Sequence, residues 1–215
     1  MTKTLPDLTF TLVSDGSSDR ALLPVLRWLL ERLNDGTAHG QWADFSHLRR
    51  PPISLPQKIA TGLDLWPADI VFVHRDAERV SYERRRREVL ASFDSVIHPA
   101  ICVVPVRMME AWLLTDVMAI RTASGNPLGK APLRLPPIRR LEGLPDPKAD
   151  LHELLRQASG LNNRRRQRLE VYAMVHDVAS ATGDFSRLLA LPAFRQLDAD
   201  VERIGVEMKW QRPQK

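Results

Sequence analysis

Cysteine is almost missing from this chain. Cys102 is the only one in 215 residues, so neither an internal disulfide nor a cysteine zinc cluster can form. It lies in the apolar run Ile101-Cys102-Val103-Val104, where a thiol acts as a small buried hydrophobe. No stretch approaches the ~20 apolar residues of a membrane span, so no membrane partner is expected. The first apolar run is short and interrupted by threonines, unlike a secretory signal, and the reading is a cytoplasmic protein. Lysine is scarce beside arginine. A glycine-rich phosphate loop is absent, which counts against a nucleotide kinase, and no internal repeat is visible.

What is present suits a globular fold. Hydrophobic residues make up 44%, enough for a core, and the mixed-sign 27% of charged residues argues against wholesale disorder. A formal net charge of +5 favours a polyanionic partner, nucleic acid first.

The organising stretch is Leu8 to Asp19. Apolar and β-prone residues alternate from Leu8 to Val13, the mark of a strand. Gly16 permits a tight turn, and Ser17 or Ser18 can cap the helix that follows, over residues 18–33. The turn therefore joins the C-terminal end of a strand to a helix N-terminus, where ligands bind in open α/β sheets and where anions are favoured. Asp15 and Asp19 in such a place repel a phosphate unless a cation lies between.

Further along, residues 42–48 read as an edge strand, Pro51, Pro52 and Pro56 break the chain, and 57–65 forms a short helix. Residues 69–74 are nearly all apolar, as in a buried parallel strand, and lead to Asp76 and Glu78. A helix over 81–95 carries Arg84 to Arg87. A third strand, 100–106, leads to Glu110 and a helix over 111–120. This alternation implies right-handed crossovers and a parallel sheet. Residues 125–147, rich in proline, glycine and arginine, read as a long functional loop. The rest reads as helical, over 150–158, 164–179 and 185–206, with a break at Pro192. The organisation expected is an α/β domain over 1–124, the loop over 125–147, and a helical part over 148–215 packed on the same domain.

Each acid has an ordinary explanation: Asp15 as a turn residue, Asp19 and Glu110 as charges favoured at helix N-termini, and Asp76 and Glu78 as a solvated loop. His74, on the opposite side of its strand from Val73, suits a hydrogen-bonded structural histidine. What favours a site is agreement, because three successive strands end in carboxylates and such ends share one rim. Oxygen donors without cysteine or paired histidines suit Mg²⁺ or Mn²⁺ rather than zinc. The arginine runs at 84–87 and 164–168 step around their helices. They read as solvated faces or as a surface tracking phosphates.

Ser14-Asp15-Gly16-Ser17-Ser18-Asp19 resembles the first motif of the Toprim fold, and Ile70 to Glu78 resembles the strand bearing its acidic D-x-D motif. Val106 to Leu114, with Asp146-Pro147-Lys148, resembles a small stand-alone Toprim-like bacterial family, similar to the nuclease half of the overcoming-lysogenisation-defect ATPases of phage defence. The resemblance implies a Rossmann-like, mostly parallel sheet flanked by helices and a metal-dependent nuclease acting on DNA. It further implies that Asp15, Asp19, Asp76, Glu78 and Glu110 hold Mg²⁺ or Mn²⁺, that Asp15, Asp76 and Lys148 are catalytic, and that an ATPase is the partner. The chain departs from the pattern in two ways. Asp15 stands where the family has glutamate, and D-x-D appears as His74-Arg75-Asp76-Ala77-Glu78. Either Asp76 and Glu78 supply the pair, or His74 replaces its first member. The rival readings are a non-catalytic partner or nucleic-acid-binding subunit, and a small-molecule phosphatase or phosphotransferase.

Overall fold

The structure is a computed structural model and describes residues 7–33, 36–94 and 96–209. Four strands, β1 (Leu8–Val13), β2 (Ala38–Trp42), β3 (Ile70–His74) and β4 (Ala100–Val103), form a sheet of order β2-β1-β3-β4 in which every pair is parallel. The fold is α/β, with helices on both faces of the sheet and a helical C-terminal part. The helices are α1 (Leu22–Glu31), α2 (Leu55–Leu65), α3 (Tyr82–Ala91), α4 (Val117–Ala123), α5 (Pro147–Ala158), α6 (Asn163–Arg166), α7 (Val171–Ala181) and α8 (Pro192–Glu207). Among the described residues no helix is long and apolar enough to cross a membrane.

Strand alternation sorts the core into two layers. Phe10, Leu12, Ile70, Phe72 and Ile101 face α1, α7 and α8, whereas Val13, Val71, Val73 and Cys102 face Ile59 of α2 and Val89 of α3. Phe10 and Phe72 meet edge to face at 5.5 Å. Burial pushes the Cys102 thiol up to about 12, the state of an inert core cysteine.

The edge strand lies at 38–42 rather than 42–48. Its sequence, Ala-His-Gly-Gln-Trp, carries no apolar alternation. It is held by backbone pairing to β1 and by Gly40, where a Cβ would land in the ring of Phe10. The first helix begins as a 3-10 turn over Ser17–Ala21. The helix expected at 111–120 is instead a 3-10 turn, Met109–Leu113, followed by α4. The cause is Asp116, whose side chain accepts from the backbone N–H groups of Met118 (2.7 Å) and Ala119 (3.1 Å) and so restarts the helix. The helix expected at 164–179 is likewise divided into α6 and α7. Asp146 caps α5 and Pro147 opens it, one residue before the boundary read from sequence. Pro192 opens α8, in keeping with proline's preference for the first helical turn. The stopping residues 34–35 and the last residue of the helix read as 81–95 lie outside the described residues.

The C-terminal helices roof the α1 side of the sheet. Phe194 of α8 meets Trp112 at 5.0 Å and Trp28 of α1 at 6.5 Å. Ion pairs fasten the same helix, Arg86–Asp200 at 2.6 Å, Arg32–Asp198 and Arg32–Glu202 at 3.9 Å.

Candidate active site

The C-terminal ends of β1, β3 and β4 deliver carboxylates to one rim. β1 runs into Ser14-Asp15-Gly16, and the 3-10 turn that follows turns Asp19 back, so that its Oδ2 accepts from the Gly16 N–H at 3.0 Å. β3 ends at His74. Beyond it the backbone stays laddered, with Ala77 N–H donating to Pro105 O and Glu78 N–H to Arg107 O, both at 3.0 Å. Glu78 adopts φ 52°, a left-handed conformation uncommon for a residue with a Cβ, and Arg107 donates to its carbonyl at 3.2 Å. The turn after β4 carries Glu110, which is 4% exposed. Between these elements lies a cleft of about 430 Å³ lined by Asp15, Asp19, His74, Asp76, Glu78 and Arg85.

His74 is buried beneath the cleft. Its Nδ1 lies 3.1 Å from the Val103 carbonyl oxygen, which requires a proton on Nδ1. In the neutral ring, Nε2 is then the acceptor, and it lies 3.6 Å from Asp76 Oδ1 and 3.9 Å from Asp19 Oδ1. Burial holds the ring's pKa below its ordinary value, against the pull of Asp19, the Val103 carbonyl and Asp15.

Asp76 is the most perturbed carboxylate of the cleft. Burial first, then repulsion from Glu110 and Asp19, push it up to about 8, although the Met109 N–H stabilises its charge. Its Oδ1 is buried and has no hydrogen-bond partner. Glu110 is displaced the same way, chiefly by burial and further by Asp19, although its own backbone N–H and Lys148 pull back. Lys148 Nζ stands 3.6 Å from Glu110 Oε1 and 5.4 Å over the ring of Tyr172.

Asp15 lines the same cleft in a different state. Its Oδ1 accepts from Lys58 Nζ at 2.6 Å and its Oδ2 from Arg75 Nε at 2.9 Å. Burial raises its pKa, but these two cations more than offset that and hold it below the usual carboxylate value. Arg75 also binds Glu88, which pairs with Arg85 at 2.6 Å. Both oxygens of Asp15 are therefore occupied by the protein's own charges.

Protein-family models, curated proteins and solved structures give no match to this chain.

Among the described residues, no three histidine, cysteine, aspartate or glutamate side chains stand ready-made around one point as metal ligands. In chemistry the donors fit a divalent ion. They are the orphaned Asp76 Oδ1, the neighbouring Asp19, Glu78 and Glu110 carboxylates, and a histidine whose Nδ1 is fixed by a backbone carbonyl, the usual outer partner of a metal-bound imidazole. Of the acids named from sequence, Asp19, Asp76 and Glu110 act on one another electrostatically, Glu78 acts on Asp76, and Asp15 is ion-paired.

Sequence reasoning missed Lys58, Arg75 and Glu88. For Arg75 a signal existed: strand alternation sets it opposite His74, on the face covered by α2 and α3. For Lys58 and Glu88 there was none, because their roles arise from packing across the chain. The arginine runs also divide. Arg85 donates to the Asp76 carbonyl at 2.9 Å and Arg86 binds Asp200, while Arg84, Arg164, Arg165 and Arg168 are exposed.

Proposed function

We propose that the protein is a divalent-metal-dependent phosphodiesterase of the Toprim type acting on nucleic acid, DNA foremost, at the cleft lined by Asp19, Asp76 and Glu78, with Glu110 buried behind Asp76. The observation carrying this reading is Asp76, a carboxylate at the rim of the sheet whose pKa is raised first by burial and then by like-charged neighbours, with one oxygen unpartnered. Strongly perturbed groups of this kind cluster at functional sites. Asp19, Asp76, Glu78 and Glu110 would hold Mg²⁺ or Mn²⁺, with His74 Nε2 as a nitrogen donor suited to Mn²⁺. Bound there, the ion supplies a water of lowered pKa and neutralises phosphate charge.

The remaining chemistry belongs to the chain. Lys148, partly neutralised by Glu110, offers an ammonium to a phosphate oxygen. Arg85 and Glu88 brace Arg75 at the lip, where an incoming phosphate competes with Asp15 for its guanidinium. An ATPase partner and a role in phage defence rest on the sequence resemblance alone. The test is nicking of supercoiled plasmid by the purified protein with Mn²⁺, Mg²⁺ or chelator. Metal-dependent nicking is expected, and none under any condition overturns the reading.

One observation favours a second reading, a non-catalytic subunit that binds nucleic acid or a partner protein. Asp15, which the resemblance makes a ligand and a catalytic group, has both oxygens committed to Lys58 and Arg75. Calorimetric titration with Mn²⁺ separates the two, since a subunit without metal chemistry gives no binding heat.

A further inference from the structure

Beside the acidic cleft lies a second cavity of different chemistry. It measures about 500 Å³ and shares Asp15 with the cleft. Its walls come from the end of β1, the end of β2 and the irregular segment that leads to α2. Trp42, Phe45, Pro51 and Pro52 supply flat or apolar surface, and Arg20 and Lys58 supply positive charge. The volume lies within the range of small-ligand sites.

The indole is set in advance. Trp42 Nε1–H donates to Ser14 Oγ at 2.9 Å, one residue before Asp15. The next residue continues the ladder, with Ala43 N–H donating to Leu12 O at 2.9 Å. Phe45 is fixed from behind by the ring of Trp66 at 5.5 Å, edge to face. The mouth is polar. Asp44 accepts from Ser46 N–H at 2.9 Å, and Ser46 is exposed. A rigid aromatic wall, a polar mouth, and Arg20 and Lys58 set against Asp44 and Asp15, opening beside the acidic cleft, suit a planar heteroaromatic base attached to a phosphate.

We infer that this cavity binds the nucleobase next to the phosphodiester in the acidic cleft, so that the protein grips a single-stranded or splayed nucleic-acid end by base stacking on Trp42. The inference rests on the proposed phosphodiesterase reading and adds its substrate form. Stacking on an aromatic face is tolerant of base identity, so discrimination among the four bases is weak. Arg20 and Lys58 flank the base and meet its phosphate. The Lys58–Asp15 pair at the shared wall then exchanges a carboxylate for a phosphate when a strand is bound.

The test is calorimetric binding to the full chain with Ca²⁺, an oxygen-seeking ion that offsets the carboxylates facing the phosphate, in place of Mg²⁺ or Mn²⁺. The probes are thymidine 5′-monophosphate, 2-deoxyribose 5-phosphate and a short oligothymidylate. Thymidine monophosphate is expected to bind about tenfold or more tightly than the sugar phosphate, as one stacked base provides, and the oligothymidylate more tightly still. Ser46→Trp, at an exposed position, fills the mouth and is expected to weaken oligothymidylate by about the same factor without shifting the melting temperature. Equal binding of nucleotide and sugar phosphate by the wild type overturns the inference, and that comparison requires no variant. Unchanged binding in a folded Ser46→Trp protein also overturns it. Mononucleotide binding as tight as the oligomer refutes the strand-end form. Plasmid nicking is read separately. Nicking without base-dependent binding sinks only this inference, and base-dependent binding without nicking sinks only the phosphodiesterase.

Discussion

Asp15 and Asp76 both follow strands of one sheet, and both line one cleft, yet their carboxyls are displaced in opposite directions. Asp15 lies below its ordinary value because Lys58 and Arg75 clasp both oxygens. Asp76, more deeply buried and facing Glu110 and Asp19, is pushed up to about 8. The Asp15 half carries its own counter-charge, braced through Glu88 and Arg85. In the Asp76 half, Lys148 stands 3.6 Å from Glu110 and Arg85 donates to the Asp76 backbone carbonyl. A rim of carboxylates is thus not one acidic patch. Under the proposed function, the half whose carboxylates are less well countered is where an added cation would lower the free energy most, and the self-neutralised half would supply the positive charge that a phosphate meets.

The largest expected effect separates the halves by activity. Asp76→Ala should lower metal-dependent nicking by about a hundredfold or more, since it removes a proposed ligand and lets the remaining carboxylates relax. Asp15→Asn should retain activity within about tenfold, because its partners, not the metal, lose a charge. Equal losses in a plasmid assay would erase the distinction.

A second test is thermodynamic and needs no substrate. The folded pKa of Asp76 is raised, while the unfolded value is near ~3.9. Below both values the carboxyl is protonated in either state and carries no penalty. As pH climbs towards about 8, the unfolded chain ionises while the folded one resists, so stability falls. Asp76→Asn should therefore exceed the wild type by about 2 kcal/mol near pH 8, a figure already reduced for partial solvent access, and match it near pH 4. Urea unfolding at the two pH values reads the difference. Saturating Mn²⁺ should shrink the gap by stabilising the wild type alone.

The metal itself sharpens the contrast further. With a histidine nitrogen facing the acids, Mn²⁺ should bind about tenfold more tightly than Mg²⁺ in calorimetry. His74→Phe should bring the two affinities together, and an unaltered ratio in a folded variant would remove His74 from the donor set. The smallest effect lies in the self-neutralised half. Arg75→Ala, an exposed and screened pair, should cost about 0.5–1 kcal/mol, or ~2 °C in melting temperature.

Much of this could be read from the residues. The apolar runs 69–74 and 100–106 read as buried parallel strands, the second of which ends early, at Val103, and Asp19, Asp76 and Glu110 follow from their positions beyond strand ends. What stayed hidden had no local signal. β2 is polar and is held by hydrogen bonds and a glycine fitted over Phe10. The helix expected at 111–120 is interrupted by one aspartate capping from within. The ion pairs on Asp15 join residues 43 and 60 positions apart in sequence. Spacing can bring acids to a rim, but which of them finds a cation depends on helices that pack from elsewhere.

The roof of the sheet has a consequence for synthesis. Phe10, Leu12 and Phe72, made early, share their core with Phe194, Val201 and Ile204 of the last helix, and Arg86 and Arg32 find their partners there too. A ribosome that has translated the whole acidic cleft has therefore not yet delivered the lid of its core. Until α8 clears the exit tunnel, the part of that face which α8 covers is open to chaperones and proteases. A message cut short before codon 192 should yield a product that is degraded rather than a smaller folded protein.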